Sequence, residues 1–161
     1  MSLESVKLAA TIQFTISKTV SGYDSISHDD AKSFNLTPDT GTYSQYLTKR
    51  YSVAGGASQT VDLQSFTDDF FGTAGSMTGT LGIMVLPTVT GGGCKIEPGD
   101  SNALTWFFSG TTPGVTVPTG GCFFFAQTTS QTVDASNKTL KFTNTHGSNV
   151  MTLDLVVIGK P

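Results

Sequence analysis

The sequence predicts an all-β fold, an antiparallel β-sandwich of the jelly-roll kind with about nine strands, and two observations lead to this prediction. The 161 residues include 26 Thr, a β-branched residue that suits pleated strands, together with 18 Gly and 6 Pro that favour turns. Apolar residues recur at every second position in several segments, with glycine or proline between the segments. The length suits one hydrophobic core, so residues 1–161 are expected to form a single domain with less than about 15% helix.

The opening segment has this period of two in its clearest form. Six apolar residues share one parity, while polar residues occupy the other, which predicts a half-buried strand. The six are Val6, Leu8, Ala10, Ile12, Phe14 and Ile16. Further strands are predicted over residues 45–53, 59–63, 77–86, 103–108, 114–117, 122–127, 139–144 and 150–158. Residues 66–71 suit either a helical turn or a bent strand.

The last predicted strand is apolar at four consecutive positions, residues 155–158. This pattern predicts cover on both faces, either at the centre of a sheet or against a neighbouring subunit. Residues 145–149 are expected to join this strand to the one before it as a closing hairpin.

Residues 19–43 lack the alternation and are rich in Ser, Asp, Thr and Gly. They are predicted to form a long loop or arm, or to contain a short helix around residues 29–34. The spaced anchors Tyr23, Ile26, Phe34, Leu36 and Tyr43 would suit an arm docking on a neighbouring subunit. A flexible surface loop is the alternative.

The charge pattern excludes several kinds of partner. The net charge is −3 and Arg50 is the only arginine, whereas nucleic-acid binding requires clustered cations. No apolar run is long enough to cross a bilayer, and the first residues lack the pattern of a signal peptide. Nucleic acid and membrane are therefore not expected as partners, and synthesis and assembly are expected in a cytoplasm.

Cys94 and Cys122 are the only cysteines. A disulfide between them would suit an oxidising compartment, whereas two reduced, partly buried thiols suit a cytoplasmic chain, and the second interpretation is preferred. Two such distant cysteines without a nearby histidine leave a zinc site short of ligands.

No pattern of catalytic or metal-binding residues stands out, so no catalytic residue, metal or cofactor is predicted. His28 precedes two aspartates but lacks the spacing of a calcium loop, and His146 suits a turn. Asp68 and Asp69 are adjacent, which does not suit the two carboxyl groups of a glycosidase. The glycines at 91–93 lack the residues of a phosphate-binding loop.

Aromatic residues on both parities of two predicted strands are the remaining candidates. One strand contains Trp106, Phe107 and Phe108, and the other contains Phe123, Phe124 and Phe125. Three interpretations are open: the two strands are buried on both faces, one of their faces forms an interface between subunits, or the aromatic side chains form a platform for carbohydrate.

The C-terminal segment, residues 140–159, runs from Leu-Lys-Phe-Thr-Asn through Thr-His-Gly-Ser-Asn to an apolar strand and a glycine. This segment, with the Gly/Thr-rich stretches around Gly91 and Gly120, resembles small β-sandwich virion structural proteins of tailed bacteriophages. The resemblance covers about the C-terminal two-thirds of the chain. It implies a capsid decoration, cement or minor capsid component in the virion, and a homo-oligomer, best taken as a trimer, that binds the major capsid protein or other virion proteins.

A viral structural protein that is not an enzyme is therefore the expected function. The alternative is a lectin-like carbohydrate-binding module of a fibre or surface assembly, in which Trp106 or the tyrosines would stack on sugar rings. A small β-barrel enzyme is a third interpretation, for which the sequence offers no constellation of reacting groups.

Overall fold

The computed structural model describes residues 8–18, 26–36, 45–69, 72–105 and 113–161, with side chains described from residue 45 onward except that of Thr128. Every regular element in this part of the chain is a strand, so the predicted all-β class is confirmed. Twelve strands are present there, rather than about nine: β1 (Leu8–Lys18), β2 (Ile26–Leu36), β3 (Gln45–Val53), β4 (Ser58–Asp62), β5 (Phe66–Thr67), β6 (Ala74–Gly75), β7 (Gly79–Thr88), β8 (Gly93–Pro98), β9 (Val115–Pro118), β10 (Phe123–Thr132), β11 (Thr139–Asn144) and β12 (Met151–Lys160).

Eight of these strands form two antiparallel sheets. The first sheet has the order β10-β7-β12-β3, and the second has the order β4-β11-β8-β9. Strands that follow each other in the chain often lie in different sheets. This holds for four consecutive pairs among the eight: β3 and β4, β7 and β8, β9 and β10, and β11 and β12. The short strands β5 and β6 pair with each other, as do β1 and β2.

The core lies between the two sheets and follows from the period of two. In β12 the odd-numbered residues are buried and the even-numbered residues are half-buried, so Leu153, Leu155 and Val157 point into the sandwich. Leu140 and Phe142 of β11 meet them from the second sheet in the same hydrophobic cluster. Burying an aliphatic or aromatic side chain of this size stabilises the fold by about 1.5–3 kcal/mol, so this layer holds the sheets together.

The segment expected to be a loop or to hold a short helix contains a long strand, which corrects that prediction. β2 runs antiparallel to β1 over eleven residue pairs, from Leu8 opposite Leu36 to Lys18 opposite Ile26. We call this two-stranded sheet the ribbon. Alternation in β2 was hidden because charged residues occupy several positions that share a face with the apolar ones.

Two further predictions are wrong in detail. The segment 145–149 is not a hairpin turn, because β11 pairs with β4 and β8 while β12 pairs with β3 and β7. It crosses from one sheet to the other.

The strand β8 was not predicted from the sequence, because glycines and a proline flank it. Cys94 and Ile96 are nevertheless buried on the face opposite Lys95 and Glu97. The strand expected over 103–108 falls partly outside the described residues, and Ala103 makes only an isolated bridge with Thr139.

Three turns meet at one end of the sandwich around Asn144, which is only 1% exposed. Its side-chain amide donates hydrogen bonds to the carbonyl oxygens of Val53 at 3.0 Å and Asn149 at 2.8 Å. Its side-chain oxygen accepts the backbone N–H of His146 at 3.0 Å. Because a buried amide needs such partners, Asn144 fixes the turn after β3 against the connection between β11 and β12.

Candidate interaction surface

The outer face of the second sheet is polar. Lys95 and Glu97 form an ion pair of 2.7 Å along β8, and Thr143 of β11 donates a hydrogen bond of 2.8 Å to Glu97. Burial opposes ionisation of Glu97, but the hydrogen bonds from Lys95 and Thr143 outweigh it and lower the pKa of that carboxyl group. Lys141 pairs with Asp100 at 2.5 Å on the same face. Because its side chains are charged or polar, this face is stable in contact with water and does not require another protein surface to cover it.

The outer face of the first sheet is apolar over about half its length. The strand register places Phe124, Met84 and Val156 side by side across β10, β7 and β12. Ile158 and Tyr46 occupy the next row on β12 and β3. All five side chains are half-buried within the chain. We call these five residues the apolar patch.

The other end of the same face is charged. Arg50 of β3 lies opposite Asp154 of β12 and donates two hydrogen bonds to it, at 2.6 and 2.9 Å. The hydrogen bond from Arg50 lowers the pKa of Asp154, although partial burial opposes this. Leu86 lies opposite Asp154 on β7 and is 37% exposed. The face therefore changes from apolar to polar along the strands, as interfaces with a dry centre and a polar rim do.

The structure places the residues expected at an interface in different environments. Phe123 lies opposite Val85 and Phe125 opposite Ile83, so both share the inner face of the first sheet, and Phe123 packs against the core. Phe34 lies in β2 opposite Ala10. The remaining four, Tyr23, Tyr43, Trp106 and Phe107, lie outside the described residues.

The apolar patch was not selected from the sequence as a set. The four consecutive apolar residues 155–158 indicated cover on both faces, and β12 does lie at the centre of its sheet. Phe124 was recognised only as a member of the aromatic run 123–125, and only Phe123 and Phe125 were selected from that run as interface residues. The strand register is what assigns Phe124 to the outer face, and sequence alone does not give the register.

Two of the groups considered for catalysis have structural partners. The ring nitrogen Nδ1 of His146, in the connection between the two sheets, accepts the backbone N–H groups of Ser148 at 3.1 Å and Asn149 at 2.9 Å. Asp69 accepts hydrogen bonds from the backbone of Arg50 and the side chain of Lys49, and these lower its pKa. Among the side chains described, no three His, Cys, Asp or Glu residues are grouped so as to hold a metal ion.

The two cysteines are free thiols with different surroundings. Cys94 is buried, as expected, but Cys122 is exposed, which corrects the prediction that both would be partly buried. Burial, together with the charge of Glu97, raises the pKa of Cys94 to about 12. A thiol with this pKa stays protonated near neutral pH and is a poor nucleophile.

No protein-family model matches the chain, and no curated protein sequence matches it. The described residues include no helix with the length and apolar character needed to cross a membrane.

Proposed function

We propose that the chain is a structural protein of a virion, a capsid decoration, cement or minor capsid component that acts through protein contacts and catalyses no reaction. The observation that carries the proposal is the contrast between the two outer faces. The outer face of the second sheet carries ion pairs, and the outer face of the first sheet carries the apolar patch. Soluble monomers rarely expose contiguous apolar patches larger than a few hundred Å², and a patch of that size often marks a surface of association.

The strand order restricts the classes of β-sandwich protein to which the chain can belong. If the eight sandwich strands are numbered in chain order from β3 to β12, the sheets read 6-3-8-1 and 2-7-4-5. In a jelly roll, neighbouring strands of the sequence lie across from each other in the two sheets, and this order has that pattern. We infer a jelly roll, an architecture that viral capsid proteins use repeatedly, and lectins also. Fold alone does not distinguish these functions, and the apolar patch supports assembly.

The patch also supports self-association as the mode of action. A carbohydrate platform presents isolated aromatic rings with polar groups beside them, whereas four of the five patch residues carry no hydrogen-bonding group in the side chain. We propose a homo-oligomer, taken as a trimer, that binds the major capsid protein or another virion protein. Its place is in the virion after assembly in the host cytoplasm.

The proposal is tested by looking for the chain in particles. Virus-like particles are purified on a density gradient from cultures in which the gene is expressed with its neighbours, and their peptides are quantified by mass spectrometry. The chain is expected in a constant ratio to the major particle protein across gradient fractions. Its absence from the particles, with binding of the isolated protein to a glycan array, would show that the lectin alternative is right.

A further inference from the structure

One face of the ribbon holds its larger apolar residues, together with Lys18, His28, Asp30 and Lys32. Residues directly opposite each other in an antiparallel pair share a face, and the register from Leu8 opposite Leu36 assigns every ribbon position. All apolar residues larger than alanine fall on the same face, and the other face holds only alanine and polar residues. The seven are Leu8, Ile12, Phe14, Ile16, Ile26, Phe34 and Leu36.

Such a ribbon needs a surface to cover its apolar face. An isolated two-stranded sheet is marginally stable in water, because neither strand has a second neighbour and one face has nothing to pack on. The ribbon is a separate sheet from the two that form the sandwich. Its stability therefore depends on packing against an apolar surface of similar size.

The first sheet offers that surface. Met84, Val156 and Ile158 remain half-buried, and Leu86 remains 37% exposed, with the whole chain present. These side chains are thus not fully covered within one chain. β2 approaches β10, the edge strand that contributes Phe124 to the patch.

We propose that the apolar patch is covered by the ribbon of a second copy of this chain, so that each copy donates one ribbon and accepts one. This rests on the proposed function only in requiring self-association. Eleven residues at about 3.3 Å each give a ribbon roughly 36 Å long and about 10 Å wide, a face of roughly 350 Å². When two copies exchange ribbons with each other, each copy buries roughly 700 Å², close to the roughly 800 Å² per partner of a stable complex. In a symmetric ring of three, each copy buries the same total area, divided between its two neighbours.

Cross-linking between marked copies tests the exchange. Two full-length versions in a Cys122→Ser background are mixed, one with Phe14→Cys in the ribbon and an added size tag, the other with Val156→Cys in the patch. After exchange of subunits, a short bis-maleimide is added and the products are separated by mass. The expected product joins one chain of each version. The matched control carries Thr15→Cys, the next ribbon position on the opposite face, and is expected to lose this product.

Three results would overturn the proposal. Cross-linking only within a single chain that carries both Phe14→Cys and Val156→Cys would show that each ribbon covers its own sheet. A dominant product of two Val156→Cys chains would show that two sheets pack face to face. A monomer in light scattering with no cross-linked product would exclude self-association through this surface.

Charge substitutions provide an independent measurement. Val156→Lys and Phe14→Lys are each expected to dissociate the oligomer to a monomer in light scattering, whereas Thr88→Lys, at the polar end of the same sheet face, leaves it intact. Circular dichroism establishes that each variant is folded. Oligomers that persist in both patch and ribbon variants contradict the exchange. If the variants become monomers and still enter particles, the proposed exchange stands as a solution contact and particle assembly does not depend on it. If the wild type exchanges ribbons but is absent from particles, the virion function fails and the exchange stands.

Discussion

The carboxylate of Asp68 accepts the backbone N–H of Thr48 at 2.6 Å, on the side of β3 that faces away from β12. Asp69 does the same for the N–H of Arg50 at 3.1 Å, and its own N–H donates to the carbonyl oxygen of Thr48 at 2.9 Å. β3 is an edge strand of the first sheet, and the outward N–H groups of an edge strand would otherwise pair with another chain. The two aspartates therefore block strand addition at this edge and leave assembly to other surfaces.

Removal of these carboxylates is expected to destabilise the protein and open the edge. Asp68→Ala leaves the part-buried backbone N–H of Thr48 without its acceptor and is expected to lower the free energy of unfolding by about 1–3 kcal/mol. Asp69→Ala, at an exposed position, is expected to have a smaller effect. Urea denaturation gives these values, and light scattering on standing is expected to rise in both variants as edges pair.

Asp100→Ala is the matched control. Asp100 is paired with Lys141, but its side chain is 75% exposed, so its loss is expected to change stability by less than about 0.5 kcal/mol. Equal effects of Asp68→Ala and Asp100→Ala would contradict the role of Asp68 at the edge.

The junction of turns gives a prediction about two glycines. A Cβ on Gly55 would lie 2.5 Å from backbone atoms of Ser148, so Gly55→Ala must separate the two turns. The expected loss is more than about 1 kcal/mol, typical of overpacking. Gly147→Ala in the same junction meets nothing within 4 Å and is expected to be neutral or to stabilise by about 0.4–1 kcal/mol. The melting temperatures of the two variants are compared by thermal unfolding. Similar melting temperatures would show that the two turns can separate at little cost in stability.

The buried thiol gives a prediction about pH. The pKa of Cys94 is raised from its ordinary value of 9.0 to about 12, so the folded state keeps a proton that the unfolded state releases. The contribution of this group to stability is complete below pH 9 and is lost as pH rises from 9 towards 12, at no more than about 1.4 kcal/mol per pH unit. Urea denaturation between pH 7.5 and 10 measures the slope, and this range ends where the tyrosines begin to ionise.

Cys94→Ala is expected to reduce that slope, whatever its effect on stability at pH 7.5. Cys122→Ser is the control: Cys122 is exposed, and although partial burial also raises the pKa of its thiol, its replacement is expected to change the slope less than replacement of Cys94. A slope unchanged by Cys94→Ala would mean that Cys94 titrates normally. In the folded protein a thiol reagent is also expected to modify Cys122 and to spare Cys94.

The sequence predicted the strands of the sandwich well where alternation and turn residues coincide. β3 and β11 have the predicted bounds, because both are followed by residues that favour turns and β11 also alternates through Leu140 and Phe142. Charged positions such as Asp30 and Lys32 hid β2, since they share a face with Ile12 and Phe14 through pairing that only the register reveals.

The interaction surface was harder to predict for a related reason. Val156 and Ile158 were recognised as apolar, but their neighbours Met84 and Phe124 come from strands 72 and 32 positions away from Val156 in the sequence. A patch on one sheet face depends on strand order, and strand order is set by packing of the whole sandwich. The period of two in the sequence indicates which residues of one strand share a face. It does not indicate which strands are neighbours in the sheet.

The final prediction concerns the fold of residues 45–161 without the ribbon. All eight strands of the two sheets and every described member of the core cluster, from Leu47 to Val157, lie in this part of the chain. The ribbon pairs with neither sheet, so its removal takes away no strand neighbour of the sandwich. Residues 45–161 are therefore expected to unfold cooperatively in urea with circular dichroism dominated by strands, and to be monomeric, since they lack the segment proposed to join copies. Ribbon-free protein that unfolds without a cooperative transition would show that β1 and β2 are part of the core; ribbon-free protein that folds and still oligomerises would show that copies associate through the sandwich itself.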